Sequence, residues 1–186
     1  MVKDLLRKEL RAQRDAIPAP ERAAYGAALV DIIRSMPEFA AASVVLIYHP
    51  IGSEPDLLPL AEYAEREGKT VAFPAMRRGE MTFRVRDAAS GFAPGAMGIP
   101  EPTGEELVRA AETPDALCVA PALAVDKRGY RIGYGGGYYD RFLSGFAGSS
   151  VCAVYPRFFV DSLPTEAHDA PVGAAAVAGE GIIRFR

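Results

Sequence analysis

The chain has 186 residues, of which 49% are hydrophobic and 24% charged, a balance typical of globular domains and not of disordered chains. At about 150 residues per domain, this length predicts one domain over residues 1–186. The formal net charge of −3 argues against a strongly basic nucleic-acid-binding protein. We therefore expect no nucleic-acid partner.

The N-terminal residues and the cysteines indicate the compartment. The chain is charged from Lys3 onward and lacks the apolar core of a secretory signal. No apolar stretch approaches the roughly 20 residues that span a bilayer, so we expect no membrane contact. Cys118 and Cys152 each lie within an apolar run, as buried strand residues do, and no CxxC pair indicates a zinc or dithiol site. These features predict a cytoplasmic protein.

The first half of the chain alternates between amphipathic and apolar segments. In chain order we expect helices over 2–16 and 21–36, a strand over 43–48, a helix over 56–67, strands over 70–73 and 81–86, a long loop over 88–104 and a short helix over 105–111. The continuously apolar run that ends at Tyr48 is typical of a buried parallel strand.

The second half continues the alternation. We expect a strand over 117–125, a helix over 138–146, and strands over 150–155, 174–177 and 182–185. Strands that alternate with helices indicate right-handed crossovers and a mostly parallel sheet with helices on both faces. The predicted fold class is α/β, with three layers in the order α/β/α.

The segment DKRGYRIGYGGGYYDRF, residues 126–142, is the most informative part of the chain. It follows an apolar strand and precedes a helix, and ligands of open parallel sheets bind beyond the carboxyl ends of the strands. Consecutive glycines let the backbone approach an anion, and a helix N-terminus offers free N–H groups. The segment is neither a Walker A loop nor a dinucleotide fingerprint, because Tyr138 replaces the third glycine. A flexible connector is the alternative, but the mixture of Gly, Arg, Tyr and Asp favours a phosphate-binding loop.

Charged residues elsewhere have two interpretations each. Lys3 and Arg7 lie on one helix face, either as a solvated basic face or as ligands of an anion. Asp140 is either an ordinary acid of a first helical turn or an oxygen ligand for Mg²⁺. Glu54 either complements the dipole of the following helix or accepts hydrogen bonds from a ligand.

The two histidines offer no complete catalytic triad. His49 follows the first predicted strand, where a lone loop histidine is usually structural or solvated. His168 precedes Asp169, but no G-x-S-x-G nucleophile elbow accompanies the pair. A carboxylate ligand role for Asp169 is the more economical interpretation.

Taken together, these motifs resemble the 5-formyltetrahydrofolate cyclo-ligase family over nearly the whole chain. The resemblance rests on Lys3-x-x-x-Arg7, Glu54, Phe73-Pro74, Gly98-Ile99-Pro100-Glu101-Pro102, the segment RIGYGGGYYDR over 131–141, and Leu163-Pro164 to His168-Asp169. It implies a fold like that of sugar-phosphate isomerases and CoA transferases. It also implies conversion of 5-formyltetrahydrofolate and ATP to 5,10-methenyltetrahydrofolate, ADP and phosphate, with Mg²⁺. Small-molecule substrates are then the expected partners, for a monomer or weak homo-oligomer.

The resemblance also implies roles for individual residues. ATP would be bound by Lys3, Arg7, Arg131, Ile132, Gly133, Tyr134, Gly135, Gly136, Gly137, Tyr138 and Tyr139. The folate substrate would be bound by His49, Glu54, Tyr134, Gly135, Gly136, Gly137 and Tyr138. Arg131 and Asp140 would be catalytic, and Asp140 and Asp169 would hold Mg²⁺. The chain departs from the family after Pro74, where many relatives have a basic residue, and Arg77 or Arg78 would substitute for it.

The implied chemistry suits these residue types. A formyl amide is a poor electrophile, and phosphorylation of its oxygen gives an iminium phosphate that the second amine of the substrate can attack. Such a transfer requires positioning and charge neutralisation but no protein nucleophile. Two alternatives remain: a related sugar-phosphate isomerase or CoA transferase, which would need a carboxylate base and no ATP, and a non-catalytic nucleotide- or folate-binding module.

Overall fold

A computed structural model describes residues 2–77, 79–86, 91–95, 98–109 and 112–185. The helices are α1 (Val2–Asp15), α2 (Ala19–Arg34), α3 (Pro37–Ala41), α4 (Leu58–Arg66) and α5 (Tyr138–Ser144). The strands are β1 (Val44–Ile47), β2 (Thr70–Arg77), β3 (Glu80–Val85), β4 (Phe92–Pro94), β5 (Pro100–Pro102), β6 (Leu107–Val108), β7 (Ala116–Ala120), β8 (Ala124–Asp126), β9 (Arg131–Ile132), β10 (Ser149–Val154), β11 (Phe159–Val160), β12 (Ala174–Val177) and β13 (Gly181–Arg184).

Among the described residues, the main sheet has eight strands in the order β13-β12-β10-β7-β1-β2-β3-β6. The strands from β12 to β2 are parallel, while β13, β3 and β6 pair antiparallel at the two sides. The prediction of a mostly parallel sheet is therefore confirmed.

Successive residues of the central strands pack on opposite faces of this sheet. In β1, Val45 and Ile47 belong to the larger core cluster with side chains of α2 and α4. Leu46 lies between them in sequence and packs on the other face with Phe83, against Phe142 of α5. Because strand side chains alternate between faces, an apolar run such as β1 needs a helix layer on each side. The three-layer α/β/α prediction is thus confirmed.

The structure differs from the prediction near β7. The single strand predicted over 117–125 is two strands, because Pro121 follows β7 and cannot donate to a sheet ladder. The second of them, β8, belongs to a separate small sheet with the order β11-β8-β9.

The predicted helix over 105–111 is wrong in its described part. Leu107 and Val108 instead form β6 and pair with Arg84 and Phe83 of β3, while residues 110 and 111 lie outside the described residues. Pairing with a strand distant in sequence overrode the local helix pattern.

Two further boundaries differ. β2 continues past the predicted end at Phe73 to Arg77, since Pro74 lies beyond the last residue that pairs with β1, where proline is tolerated. The predicted loop 88–104 contains the antiparallel pair β4 and β5. Residues 87–90, 96 and 97 of this region lie outside the described residues.

The strand order creates a switch point in the middle of the sheet. From β1 the chain moves to β2 on one side, whereas from β7 it moves to β10 and β12 on the other. In open α/β sheets the crevice outside the carboxyl ends of strands at such a point binds ligands. The loops that follow β1 and β7 are therefore the expected site. Within the described part of the chain, no helix has the length and apolar character needed to cross a membrane.

Gly129, in the turn between β8 and β9, is expected to be far less tolerant of alanine than Gly68. Both have positive φ, +85° and +77°, which alone costs an alanine about 1–2 kcal/mol. A Cβ at Gly129 would lie 2.7 Å from the Val172 carbonyl oxygen and 2.8 Å from the Phe185 ring, whereas one at Gly68 would meet nothing within 4 Å. We expect Gly129→Ala to lower the free energy of unfolding by about 3 kcal/mol or more. Urea unfolding followed by circular dichroism measures both variants, and equal losses would contradict the close packing.

Candidate active site

One large cavity lies at the carboxyl ends of β1 and β7. Its volume is about 1050 Å³, near the upper end of what is usual for small-molecule sites. Apart from the segment after Pro74, the residues with a predicted binding, catalytic or metal role lie on its wall: Lys3, Arg7, His49, Glu54, Arg131, Ile132, Gly133, Tyr134, Gly135, Gly136, Gly137, Tyr138, Tyr139, Asp140 and Asp169. The fold thus brings together four segments far apart in sequence.

Two basic residues of α1, Lys3 and Arg7, line the cavity. Lys3 Nζ lies 2.7 Å from Asp169 Oδ2 and 2.9 Å from Glu166 Oε2, and its side chain is only 13% exposed. Arg7 Nε donates to the Gly133 carbonyl oxygen at 3.1 Å. Of the two interpretations, these contacts favour the cavity-facing one over a solvated basic face.

The Lys3–Asp169 pair changes the pKa of both groups. Burial lowers the pKa of Lys3, but hydrogen bonds to Asp169 and Glu166 outweigh it and raise the pKa above its usual value. Burial raises the pKa of Asp169, but the hydrogen bonds from Lys3 and from the Glu166 N–H hold it below its usual value. Both groups are therefore charged at neutral pH.

The glycine-rich loop wraps around Arg7. Gly135 has a φ of +99°, and a Cβ there would lie 3.2 Å from Arg7 Cζ. Gly137 precedes α5 with a left-handed φ of +64°. Positive φ favours glycine at both positions, and at Gly135 the lack of a side chain also lets the backbone approach the Arg7 guanidinium closely.

Arg131 and Asp140 form an ion pair that closes the loop at its two ends. Arg131 Nη2 lies 3.1 Å from Asp140 Oδ1, and the Arg131 side chain is 3% exposed. Arg131 Nη1 donates to the Ala170 carbonyl oxygen at 2.7 Å, and the Ala170 N–H donates to Asp140 Oδ1 at 3.2 Å. The pair therefore also holds the segment that carries Asp169.

The loop after β1 supplies a buried carboxylate and a histidine. Glu54 is 7% exposed, and its Oε2 accepts the Ile51 N–H at 2.9 Å. Burial raises the pKa of Glu54, although the Ile51 N–H and the charge of Arg14 oppose this shift. The His49 ring packs against Phe92 at 5.6 Å between centroids. The carboxylate can accept hydrogen bonds from a ligand at this wall.

One buried polar residue near the site, Arg14, was not predicted, and the predicted Tyr139 has a buried hydroxyl. Arg14 is 2% exposed. Its spacing of four from the buried Leu10, and of seven from Arg7, is a sequence signal for an inward position. The hydroxyl of Tyr139 is buried and has no hydrogen-bond partner among the described residues, and burial raises its pKa well above the usual value.

The segment after Pro74 contributes less than expected. Arg77 is exposed and is not among the described residues that line the cavity, and Arg78 lies outside the described residues. The apolar part of the wall comes instead from Met76, Met81 and Ile99.

Possible metal ligands cluster around Asp169. Three residues, Glu166, His168 and Asp169, each offer one ligand atom, and these atoms lie within 4.8 Å of one another. Asp140 lies on the wall of the same cavity. Carboxylate oxygens are the hard ligands that Mg²⁺ requires, so this donor set fits the ion. The Lys3 ammonium lies among these oxygens and supplies the positive charge there.

The comparison with known proteins decides the family. The sequence model of the 5-formyltetrahydrofolate cyclo-ligase family matches residues 1–178. The chain belongs to this family. The cyclo-ligase of Mycolicibacterium smegmatis is 27% identical over 99% of this chain and 97% of its own length. That of Escherichia coli is 27% identical over 89% of this chain and 94% of its own length.

Solved structures agree with the family assignment. The NMR structure of Aquifex aeolicus 5,10-methenyltetrahydrofolate synthetase has a TM-score of 0.88 and 31% identity, covering 100% of this chain and 94% of that one. The synthetase of Mycoplasma pneumoniae has a TM-score of 0.73 at 18% identity, with coverage of 96% and 98%, and shows the shared fold. The predictions of a cyclo-ligase and of its fold are confirmed.

Proposed function

We propose that the chain catalyses the ATP- and Mg²⁺-dependent cyclisation of 5-formyltetrahydrofolate to 5,10-methenyltetrahydrofolate, with release of ADP and phosphate. One observation carries the proposal: a single cavity joins a cationic wall, with Lys3, Arg7 and Arg131, to a wall with Glu54 and apolar side chains. The first wall suits a polyphosphate and the second suits a flat, N–H-bearing pterin. We also propose a cytoplasmic location, which the two buried free cysteines support.

In this reaction the formyl oxygen attacks the γ-phosphorus of ATP and ADP leaves. The second amine of the folate then attacks the formyl carbon and loses its proton, and the carbon–oxygen bond to phosphate breaks. The protein positions the two substrates and neutralises charge. Lys3, Arg7 and Arg131 and the N–H groups of the glycine-rich loop are suited to the phosphates. The Tyr139 hydroxyl, which has no partner among the described residues, can gain one from a bound ligand.

Asp140 and Asp169 are the proposed holders of Mg²⁺, which when bound neutralises phosphate charge. A carboxylate has two oxygens with about four lone-pair sites. Asp140 can therefore keep its contacts with Arg131 and Ala170 through Oδ1 and still offer an oxygen to a cation.

A direct assay tests the proposal. Purified protein is mixed with ATP, Mg²⁺ and 5-formyltetrahydrofolate, and the absorbance of the methenyl product is followed, with ATP or Mg²⁺ omitted in turn. Product that depends on both is the expected result. No product from folded protein at high concentration would overturn the proposal, and binding of both ligands without turnover would indicate a binding module instead.

Glu54→Ala is expected to raise the KM for 5-formyltetrahydrofolate about 10-fold or more, because hydrogen bonds to a charged group contribute about 1.5–3 kcal/mol. The KM for ATP should change little, since the cationic wall is intact. Steady-state kinetics with each substrate varied in turn measures both values. Glu62→Ala, at an exposed position of α4, is the matched control. A loss of ATP binding in Glu54→Ala would show that Glu54 belongs to the nucleotide side of the cavity.

A further inference from the structure

A polar cluster in which Arg14, Ser53 and Glu54 are buried lies behind the Glu54 wall of the cavity. We call Arg14, Asp15, Ser53, Glu54 and Tyr134 the Arg14 cluster. Arg14 belongs to α1, the helix that also carries Lys3 and Arg7 at the cationic wall. With 2% of its surface exposed, Arg14 is more deeply buried than is usual for arginine unless its donors are satisfied.

The guanidinium of Arg14 satisfies its donors on three separate segments. Nε donates to Ser53 Oγ at 3.0 Å in the loop after β1, and Nη1 donates to the Ala122 carbonyl oxygen at 3.1 Å between β7 and β8. Nη2 donates to the Tyr134 hydroxyl at 2.5 Å in the glycine-rich loop. Ser53 in turn donates to Asp15. One side chain therefore joins both loops that form the site.

The hydrogen bond from Arg14 determines where the Tyr134 O–H can point. A tyrosine hydroxyl has one O–H to donate, and its oxygen accepts from Arg14. The Tyr134 hydroxyl also contributes to lowering the pKa of Glu54. A carboxylate only accepts, and the hydroxyl oxygen already accepts from Arg14, so the Tyr134 O–H is the group that can be donated to Glu54. The Ile51 N–H holds Oε2 of the same carboxylate. Arg14 thus acts on Glu54 through Tyr134.

We propose that Arg14 is a positioning residue, which orients Tyr134 and keeps the Glu54 carboxylate charged and fixed for the N–H donors of the folate substrate. This inference rests on the proposed function, in which Glu54 binds that substrate. Arg14 itself touches neither substrate.

The electrostatics agree with this geometry. Burial raises the pKa of Glu54, and the Ile51 N–H, the charges of Arg14 and Arg11 and the Tyr134 hydrogen bond oppose it. Other titratable groups that interact with Glu54 across the surrounding elements are Tyr48, Tyr139, Cys152 and Tyr155. Removal of Arg14 leaves burial less opposed, so the pKa of Glu54 rises further and more of it is protonated near neutral pH. Folate binding should then weaken at low pH and recover as pH rises.

Arg14→Met, Arg14→Lys and Tyr134→Phe test the inference. 5-Formyltetrahydrofolate is titrated by calorimetry from pH 5.5 to 8.5 in the presence of a non-hydrolysable ATP analogue. In Arg14→Met we expect the pH below which folate affinity falls to move upward, so that affinity on the acid side of both transitions is lower, by about 10-fold for each unit moved. Arg14→Lys should restore most of the wild-type pH dependence because it keeps the charge. The affinity for the ATP analogue should be unchanged in Arg14→Met and Arg14→Lys.

Arg34→Met is the matched control, because Arg34 pairs with Asp31 near the end of α2 and, among the described residues, has no hydrogen bond or ion pair with the Arg14 cluster. If the folate affinity of Arg14→Met depends on pH in the same way as that of the wild type, the inference is overturned. If Arg14→Met does not fold, Tyr134→Phe decides, since it removes the hydroxyl but keeps the ring, and an unchanged pH dependence there overturns the inference equally. Failure of the wild-type protein to bind or convert the folate overturns the proposed function itself.

Discussion

Asp140→Asn is expected to lower kcat by about 100-fold or more, an effect much larger than its loss of stability. Asparagine keeps an oxygen for the Ala170 N–H, so the local backbone contact survives. It loses the negative charge that faces Arg131 at 3.1 Å and that is proposed to hold Mg²⁺. The cost to folding is about 1–3 kcal/mol, because Arg131, which is 3% exposed, loses its counter-ion but keeps its bond to the Ala170 carbonyl oxygen.

Kinetics at limiting and at saturating Mg²⁺ test this expectation together with thermal unfolding. Asp161→Asn is the matched control, since Asp161 is 89% exposed and pairs with Lys127. Partial recovery of Asp140→Asn at high Mg²⁺ would support the metal role. Full activity at limiting Mg²⁺ would contradict that role.

Asp126→Ala is expected to lower the free energy of unfolding by about 3–5 kcal/mol. Asp126 is fully buried and accepts the N–H groups of Arg128, Tyr130 and Leu163 at 2.9, 3.1 and 3.0 Å. The Arg128 guanidinium also donates to it at 2.7 Å. Alanine leaves these donors without their acceptor, which is a large loss against a total stability of about 5–15 kcal/mol.

The effect of Asp126→Ala should depend on pH. Burial raises the pKa of Asp126, but the Arg128 hydrogen bond and the backbone N–H groups outweigh it and hold the pKa below its ordinary 3.8. The carboxylate therefore stabilises the fold above that pH, and this contribution is lost as the pH falls through the lower pKa of the folded state. Urea unfolding should show that the difference in the free energy of unfolding between wild type and Asp126→Ala is smaller in acid than at pH 7. Asp161→Ala, at an exposed position, is the control. If Asp126→Ala were as stable as Asp161→Ala at pH 7, the prediction would be wrong.

Much of the fold was predictable because its signals are local. The apolar run of β1 needs helices on both faces, and the alternation of strands and helices leads to a parallel sheet. The motif from Arg131 to Asp140 is itself contiguous in sequence, so the family could be identified from it. The short strand β6 could not be predicted from the sequence, because Leu107 and Val108 form it by pairing with β3, which is distant in sequence.

Residue types and short spacings were enough to predict the fold class, the family and many of the residues on the cavity wall, but not others such as Arg11 and Met81. Tertiary structure alone decided how those residues meet. Only the folded chain brings Lys3 to Asp169, or turns Arg14 inward to join the loop after β1 to Tyr134. Local sequence cannot specify such contacts, because burial of a charge depends on which distant acceptors the fold supplies.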